Sequence, residues 1–200
     1  MTTIASAFQV PFAFVGAEEN RPEANLIARV RAGDLMALGE AYDAHHVHVR
    51  AFARRLLGDE SAAEDLVQDT FIALPRAIAR FRGDSSLRTF LVAIAVNHSR
   101  HHVRRAMRRR GAHDRLGAEP PASSPDPEAQ VRTRQLAAAL TQALDALPLE
   151  QRVAVVLCEV EERTSAEAAR IMDVPEGTIR TRVFHGKRKL REALAEAGFR

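Results

Sequence analysis

Apolar positions recur at helical spacing in two blocks, separated by a stretch that has almost none. In the first, Leu26, Ile27 and Val30 make one stripe, and Leu35, Leu38, Tyr42, Val49, Phe52 and Leu56 continue it in steps of three, four or seven. Gly58-Asp59 ends that helix, and Ser61 with Glu64 three residues on predicts a capping box for the next. Leu66, Val67, Thr70, Phe71 and Leu74 form its inner face, with Asp65, Gln68 and Asp69 on the other side. Pro75 lacks a backbone donor and predicts a kink or boundary near Leu74. After the turn Gly83-Asp84-Ser85-Ser86, Leu87, Leu91, Ile94, Ala95 and Val103 face inward from a further helix.

Residues 111–130 break the pattern. Pro120, Pro121, Pro125 and Pro127 stand among small residues with little to bury, which predicts a flexible linker. Its 20 residues reach at most roughly 65 Å when extended. Helical spacing then resumes with Val131, Leu136, Leu140, Leu144 and Leu147, stops at Pro148, and marks another helix with Val153, Val156, Leu157 and Val160.

The end of the chain carries the most specific pattern. Thr164-Ser165-Ala166-Glu167 is a capping box that starts a helix, and Asp173 ends it. Pro175 and Glu176 open the next helix, because proline is preorganised for a first turn. Ala169 is small enough for two helices to cross there, while Val174, Ile179 and Val183 can hold the second helix from beneath. Thr178, Arg180, Thr181 and Arg182 would then offer donors to base edges and phosphates, with Lys187 and Arg188 further along. This is the physical specification of a helix-turn-helix; an ordinary helical hairpin with a basic surface is the plainer alternative.

Composition adds a charge pattern. The chain of 200 residues has a net charge of only +3, but the charges are segregated. Asp59 to Asp69 holds five acids and no Lys or Arg, whereas His98 to Arg110 holds six arginines and no acid, and Arg180 to Arg191 six basic residues and no acid. Two basic stretches on a nearly neutral chain imply polyanion contact at two places, against the alternative of solvated helix faces. Cys158 is the only cysteine, so no internal disulfide or cysteine zinc site can form. It lies in an apolar run and reads as an inert thiol, which suits a reducing cytoplasm. Residues 1–23 read as a flexible extension without the basic start of a signal peptide, and no apolar stretch is long enough for membrane insertion.

These segments resemble the extracytoplasmic-function (ECF) branch of the bacterial sigma factors of the sigma-70 family. Ala63 to Phe71, Phe81 to Ser86, Arg88 to Leu91, Ile94-Ala95 with Asn97, and Arg104-Arg105 are similar to the family's region 2. Leu144 to Pro148, Arg152, Thr164 to Arg182 and Lys189 to Arg191 are similar to its region 4. The resemblance implies an all-α protein of two small helical domains, region 2 over 24–110 and region 4 over 131–200. It implies that Asp65, Gln68 and Asp69 dock on core RNA polymerase. It assigns Arg88, Phe90, Asn97, Arg100, Arg104 and Arg105 to the melted non-template strand at the minus-10 box. Thr178, Arg180, Thr181, Arg182, Lys187 and Arg188 would read duplex DNA at the minus-35 box. An anti-sigma factor is a further implied partner. The chain departs from the family pattern at Phe90, where tryptophan is frequent, and at Pro75, Asp173 and His101.

Other chemistry finds little support. His45, His46 and His48 cluster, and His98 with His102 has metal-binding spacing, but no third ligand is evident and no metal site is expected. No phosphate loop or catalytic constellation stands out, so neither a cofactor nor an enzymatic activity is expected. The rivals are a stand-alone helix-turn-helix regulator, which would need a dimer and a palindromic site, and an adaptor that merely sequesters polymerase.

Overall fold

A computed structural model describes residues 21–116 and 127–199, and all regular structure among them is helical. The helices are α1 (Arg21–Arg31), α2 (Leu35–Leu57), α3 (Glu60–Ala77), α4 (Leu87–Leu116), α5 (Pro127–Asp145), α6 (Leu149–Val155), α7 (Ser165–Met172) and α8 (Glu176–Glu196). A 3-10 turn over Ile78–Arg80 follows α3, and α6 runs into a π turn over Val156–Val160. Residues 1–20, most of the expected extension, and 117–126, the middle of the expected linker, lie outside the described residues. The rest of the 111–130 stretch is helical, as the ends of α4 and α5.

Helices α1 to α4 enclose one core. Val49, Phe52, Leu56, Leu66, Leu74, Leu87 and Leu91 are fully buried there, and Thr70 satisfies its hydroxyl by donating to the Leu66 carbonyl at 2.7 Å. Two local expectations need correcting. The cap of α3 is Asp59, whose carboxylate accepts from Ala62 N at 2.7 Å, and not Ser61; Glu64 pairs instead with Arg50 of α2. Gly58 takes a left-handed backbone (φ 61°) that ends α2 and leaves Asp59 extended, as an N-cap must be. Pro75 does not end α3 at Leu74: the helix continues to Ala77 and tightens into the 3-10 turn. Lying in the last turn, Pro75 removes one bond where few remain to be made.

Helices α5 to α8 build the second unit around Val153, Leu157, Ala168, Ile171 and Ile179. Gly186 of α8 lies so close to α6 that an added methyl would meet Val155 at 2.6 Å. The apolar stripe of α5 is only half used, since Val131, Leu136 and Leu140 stay exposed, as does Leu35 at the start of α2. No described helix is long and apolar enough to cross a membrane.

Candidate functional site

Helix α4 carries most of the residues expected at single-stranded DNA. Its start is fixed from far away: Glu23 of α1 accepts from Leu87 N at 2.9 Å, and Ser86 accepts from Thr89 N at 3.2 Å. Arg31 donates to the Phe81 carbonyl at 2.9 Å and anchors the turn that precedes α4. Phe81 then packs on Phe90 with ring centroids 5.0 Å apart. At 3.6 residues per turn, Phe90, Asn97 and Arg104 fall on one side of α4, with Arg108 a turn beyond. Asn97, Arg104 and Arg108 are exposed and Phe90 half-exposed. Arg88 is exposed but lies two and a half turns from Asn97, hence on the opposite side and towards His45 of α2. Burial holds the His45 imidazole below its ordinary pKa, and the charges of His48 and Arg88 push the same way. Arg88 is therefore not brought together with Phe90 and Asn97.

Two other members of the set are already engaged. Arg105 pairs with Asp65 of α3, and Arg100 pairs with Glu150 of α6 at 2.9 Å. The expected polymerase contacts are laced onto α4 in the same way. Asp65 also faces Arg109 at 3.7 Å, and Asp69 Oδ2 lies 2.8 Å from Nε2 of the buried His102. Gln68 points outward. Four residues on, Ile72 is 74% exposed, a large apolar side chain in the middle of the outward face of α3. Sequence periodicity passed over it, because an apolar residue next to the buried Phe71 looks like core.

The helix-turn-helix forms as its local sequence requires. Thr164 accepts from Glu167 N at 3.2 Å, while Glu167 accepts from Thr164 N at 2.9 Å. These hydrogen bonds hold the Glu167 carboxyl below its ordinary pKa. Asp173 takes the left-handed backbone (φ 51°) that turns the chain, a conformation Asp tolerates better than most residues. Ile179 is fully buried, with Val174 and Val183 packed beside it. The outward side of α8 presents Gly177, Arg180, Thr181, Phe184 and Arg188, all exposed. Thr178 and Arg182 are half-exposed at its edges; Lys187 pairs with Glu159 at 2.6 Å, and Arg180 and Arg188 make pairs along the helix with Glu176 at 2.5 Å and Glu192 at 3.7 Å. Phe184, 64% exposed, was missed by the sequence reading. Its signal was helical register, three residues after Thr181.

Among the described residues no three His, Cys, Asp or Glu side chains gather as metal ligands. His46 instead stacks on Tyr42 with centroids 4.7 Å apart, and burial pushes the Cys158 thiol up.

The described residues thus form a helical unit with an acidic ridge and a long basic helix, followed by a helix-turn-helix. Residues 41–109 match the family model of sigma-70 region 2, and residues 137–190 that of sigma-70 region 4. The chain belongs to the ECF RNA polymerase sigma factors. It is 32% identical to ECF RNA polymerase sigma factor SigM of Mycobacterium tuberculosis, over 90% of this chain and 88% of that protein. It is 31% identical to the ECF RNA polymerase sigma-E factor of Escherichia coli, over 81% and 88% respectively. The sigma factor RpoE of Bartonella quintana, solved in complex with the anti-sigma factor NepR, is 27% identical with a TM-score of 0.53, covering 78% of this chain and 96% of that one. The stand-alone regulator is set aside.

Proposed function

We propose that the chain confers promoter specificity on core RNA polymerase without catalysing a reaction, working in the cytoplasm. Its division of labour follows the two units: 24–110 for polymerase and the minus-10 strand, 131–200 for the minus-35 duplex, with 111–130 as the tether. The observation that carries this reading is the placement of Gln68, Asp69 and Ile72 on one outward face of α3, while Phe90, Asn97 and Arg104 share a face of α4. One surface suits a protein whose partner supplies cations and an apolar seat. The other offers an aromatic platform, an amide for a base edge and cations for phosphate. Asp65 contributes by orienting α3 against α4, and Asp69, at its exposed edge, can reach a partner. The relative solved with an anti-sigma factor supports a similar inhibitor here.

Purified chain mixed with core polymerase should yield discrete run-off transcripts from a subset of genomic fragments. No transcript from any template would overturn the proposal.

At the minus-35 duplex, Arg180 and Arg188 flank Phe184, which is placed for apolar contact with a thymine methyl in the major groove. Phe184→Ala is expected to cost roughly 1–3 kcal/mol on the preferred site and less on a site with that thymine replaced. Binding titrations on the two duplexes measure the difference. An equal loss on both would leave Phe184 without a reading role.

A further inference from the structure

Helix α1 supplies none of the residues assigned to polymerase or DNA, yet it holds both ends of the segment that presents Phe90. Near its end, Nη2 of Arg31 donates to the carbonyls of Ile78 at 3.3 Å and Phe81 at 2.9 Å. These two residues bracket the 3-10 turn after α3, and the Phe81 N–H already bonds back to Ile78. Near the start of α1, Glu23 accepts from N of Leu87, the first residue of α4, at 2.9 Å. The two clamps are eight residues apart on α1, about 12 Å along its axis. Between the points they hold, the chain runs through exposed Arg82, Gly83 and Asp84, with Gly83 in a left-handed turn (φ 83°). Helix α1 is itself firmly seated. Val30 is buried, and Leu26 and Ile27 pack against the core. Arg29 pairs with Asp34 and with Glu40, each at 2.8 Å, which ties the end of α1 to α2. That apolar stripe and those pairs hold α1 in place without help from Glu23 or Arg31, which are spent on the 81–87 segment instead.

The clamps matter because of where Phe90 stands. It is the fourth residue of α4, and its N–H makes the first regular bond of that helix, to the Ser86 carbonyl at 3.1 Å. The N–H groups before it have no helical partner. That of Leu87 goes to Glu23, and that of Thr89 to the Ser86 hydroxyl at 3.2 Å. A carboxylate there also suits the positive end of the helix dipole. A first turn without such acceptors frays. The Phe90 ring in turn rests on Phe81, whose carbonyl Arg31 holds. We infer that Glu23 and Arg31 are positioning residues for strand capture: α1 is a splint that keeps Phe90 seated before DNA arrives. Little ordering then remains to oppose the stacking of an unpaired base on that ring. The inference rests on reading α4 as the strand-binding surface.

The test compares the native chain with Glu23→Ala/Arg31→Ala. Hydrogen exchange of the free chain, followed by mass spectrometry, should be about tenfold faster over 81–90 in the variant and unchanged over α2 and α3. Unchanged exchange over 81–90 would overturn the splint, whether or not the chain directs transcription. Holoenzyme reconstituted with core polymerase is then assayed by run-off on the fragments that the native chain transcribes. The variant should yield about tenfold less transcript, the scale of one base stacked on an aromatic ring, while its co-migration with core polymerase is undiminished. An undiminished yield would overturn the positioning role. In a Phe90→Ala background the same pair of substitutions should cost less than about twofold, because the clamps act through that ring. An equal loss in both backgrounds would reduce α1 to an element of the fold and overturn the role as well. Glu23→Gln keeps an oxygen acceptor for Leu87 N and should recover most of what Glu23→Ala loses; no recovery would count against the clamp in the same way. A native holoenzyme silent on every template would sink the initiation reading and the capture role with it, while the exchange result still decides the splint.

Discussion

Ile72→Glu is expected to weaken association with core RNA polymerase at least about thirtyfold while leaving the melting temperature of the free chain nearly unchanged. Ile72 is 74% exposed in the free protein, so it contributes little to the core of α1–α4. An apolar side chain buried on docking contributes roughly 1.5–3 kcal/mol, and a glutamate in its place adds the cost of burying a charge. Each 1.4 kcal/mol is about a tenfold change in affinity. Gln68, one turn earlier, fixes the direction of the surface. Asp65→Arg is a poorer probe of docking. It would bring a third cation against Arg105 and Arg109, and so loosen α3 from α4 as well as alter any docking face. Co-migration with core polymerase on gel filtration, with circular dichroism melts of each variant, separates the two effects. Undiminished association of Ile72→Glu would remove the outward face of α3 from the interface.

What the sequence made legible was what depends on near neighbours. The capping box at Thr164, the turn at Asp173 and the buried stripe of α3 all involve residues within a few positions of one another. Ser61 was mistaken for the cap of α3 because two good capping residues stand two apart. The choice between them is made by the left-handed Gly58, which leaves Asp59 extended. Partners distant in sequence were not legible. Glu23 caps α4 across 64 residues, and Arg110 grips Asp145 across 35. The basic run on α4 therefore looked like one DNA surface, whereas the fold spends Arg105 and Arg109 on the acids of α3, and Arg100 and Arg110 on the second unit. Of the exposed apolar residues, Leu35 was placed on the inner stripe, and Ile72 and Phe184 were passed over, for a related reason. Periodicity identifies a stripe, but only packing decides that Leu35, Ile72 and Phe184 face outward.

The largest loss of stability is expected at Asp145. Arg152 is 1% exposed, and burial drives its guanidinium pKa down while Asp145, at 2.5 Å, opposes that shift. Arginine nonetheless stays charged. Its Nε is buried without a partner, so the Nη1 bond to Asp145 carries the compensation. Asp145→Ala strands that buried charge, and should cost roughly 3–5 kcal/mol. Arg110, with its side chain partly exposed, can turn to water, so Arg110→Ala should cost far less. If charge burial is the cause, Asp145→Ala/Arg152→Met should recover most of the loss, because a well-packed apolar side chain has no charge to strand. Urea unfolding followed by circular dichroism supplies the comparison. A single-variant cost below about 1 kcal/mol, or no recovery in the double variant, would mean that Arg152 reaches solvent and that Asp145 serves the seam between the units rather than the fold of the second one.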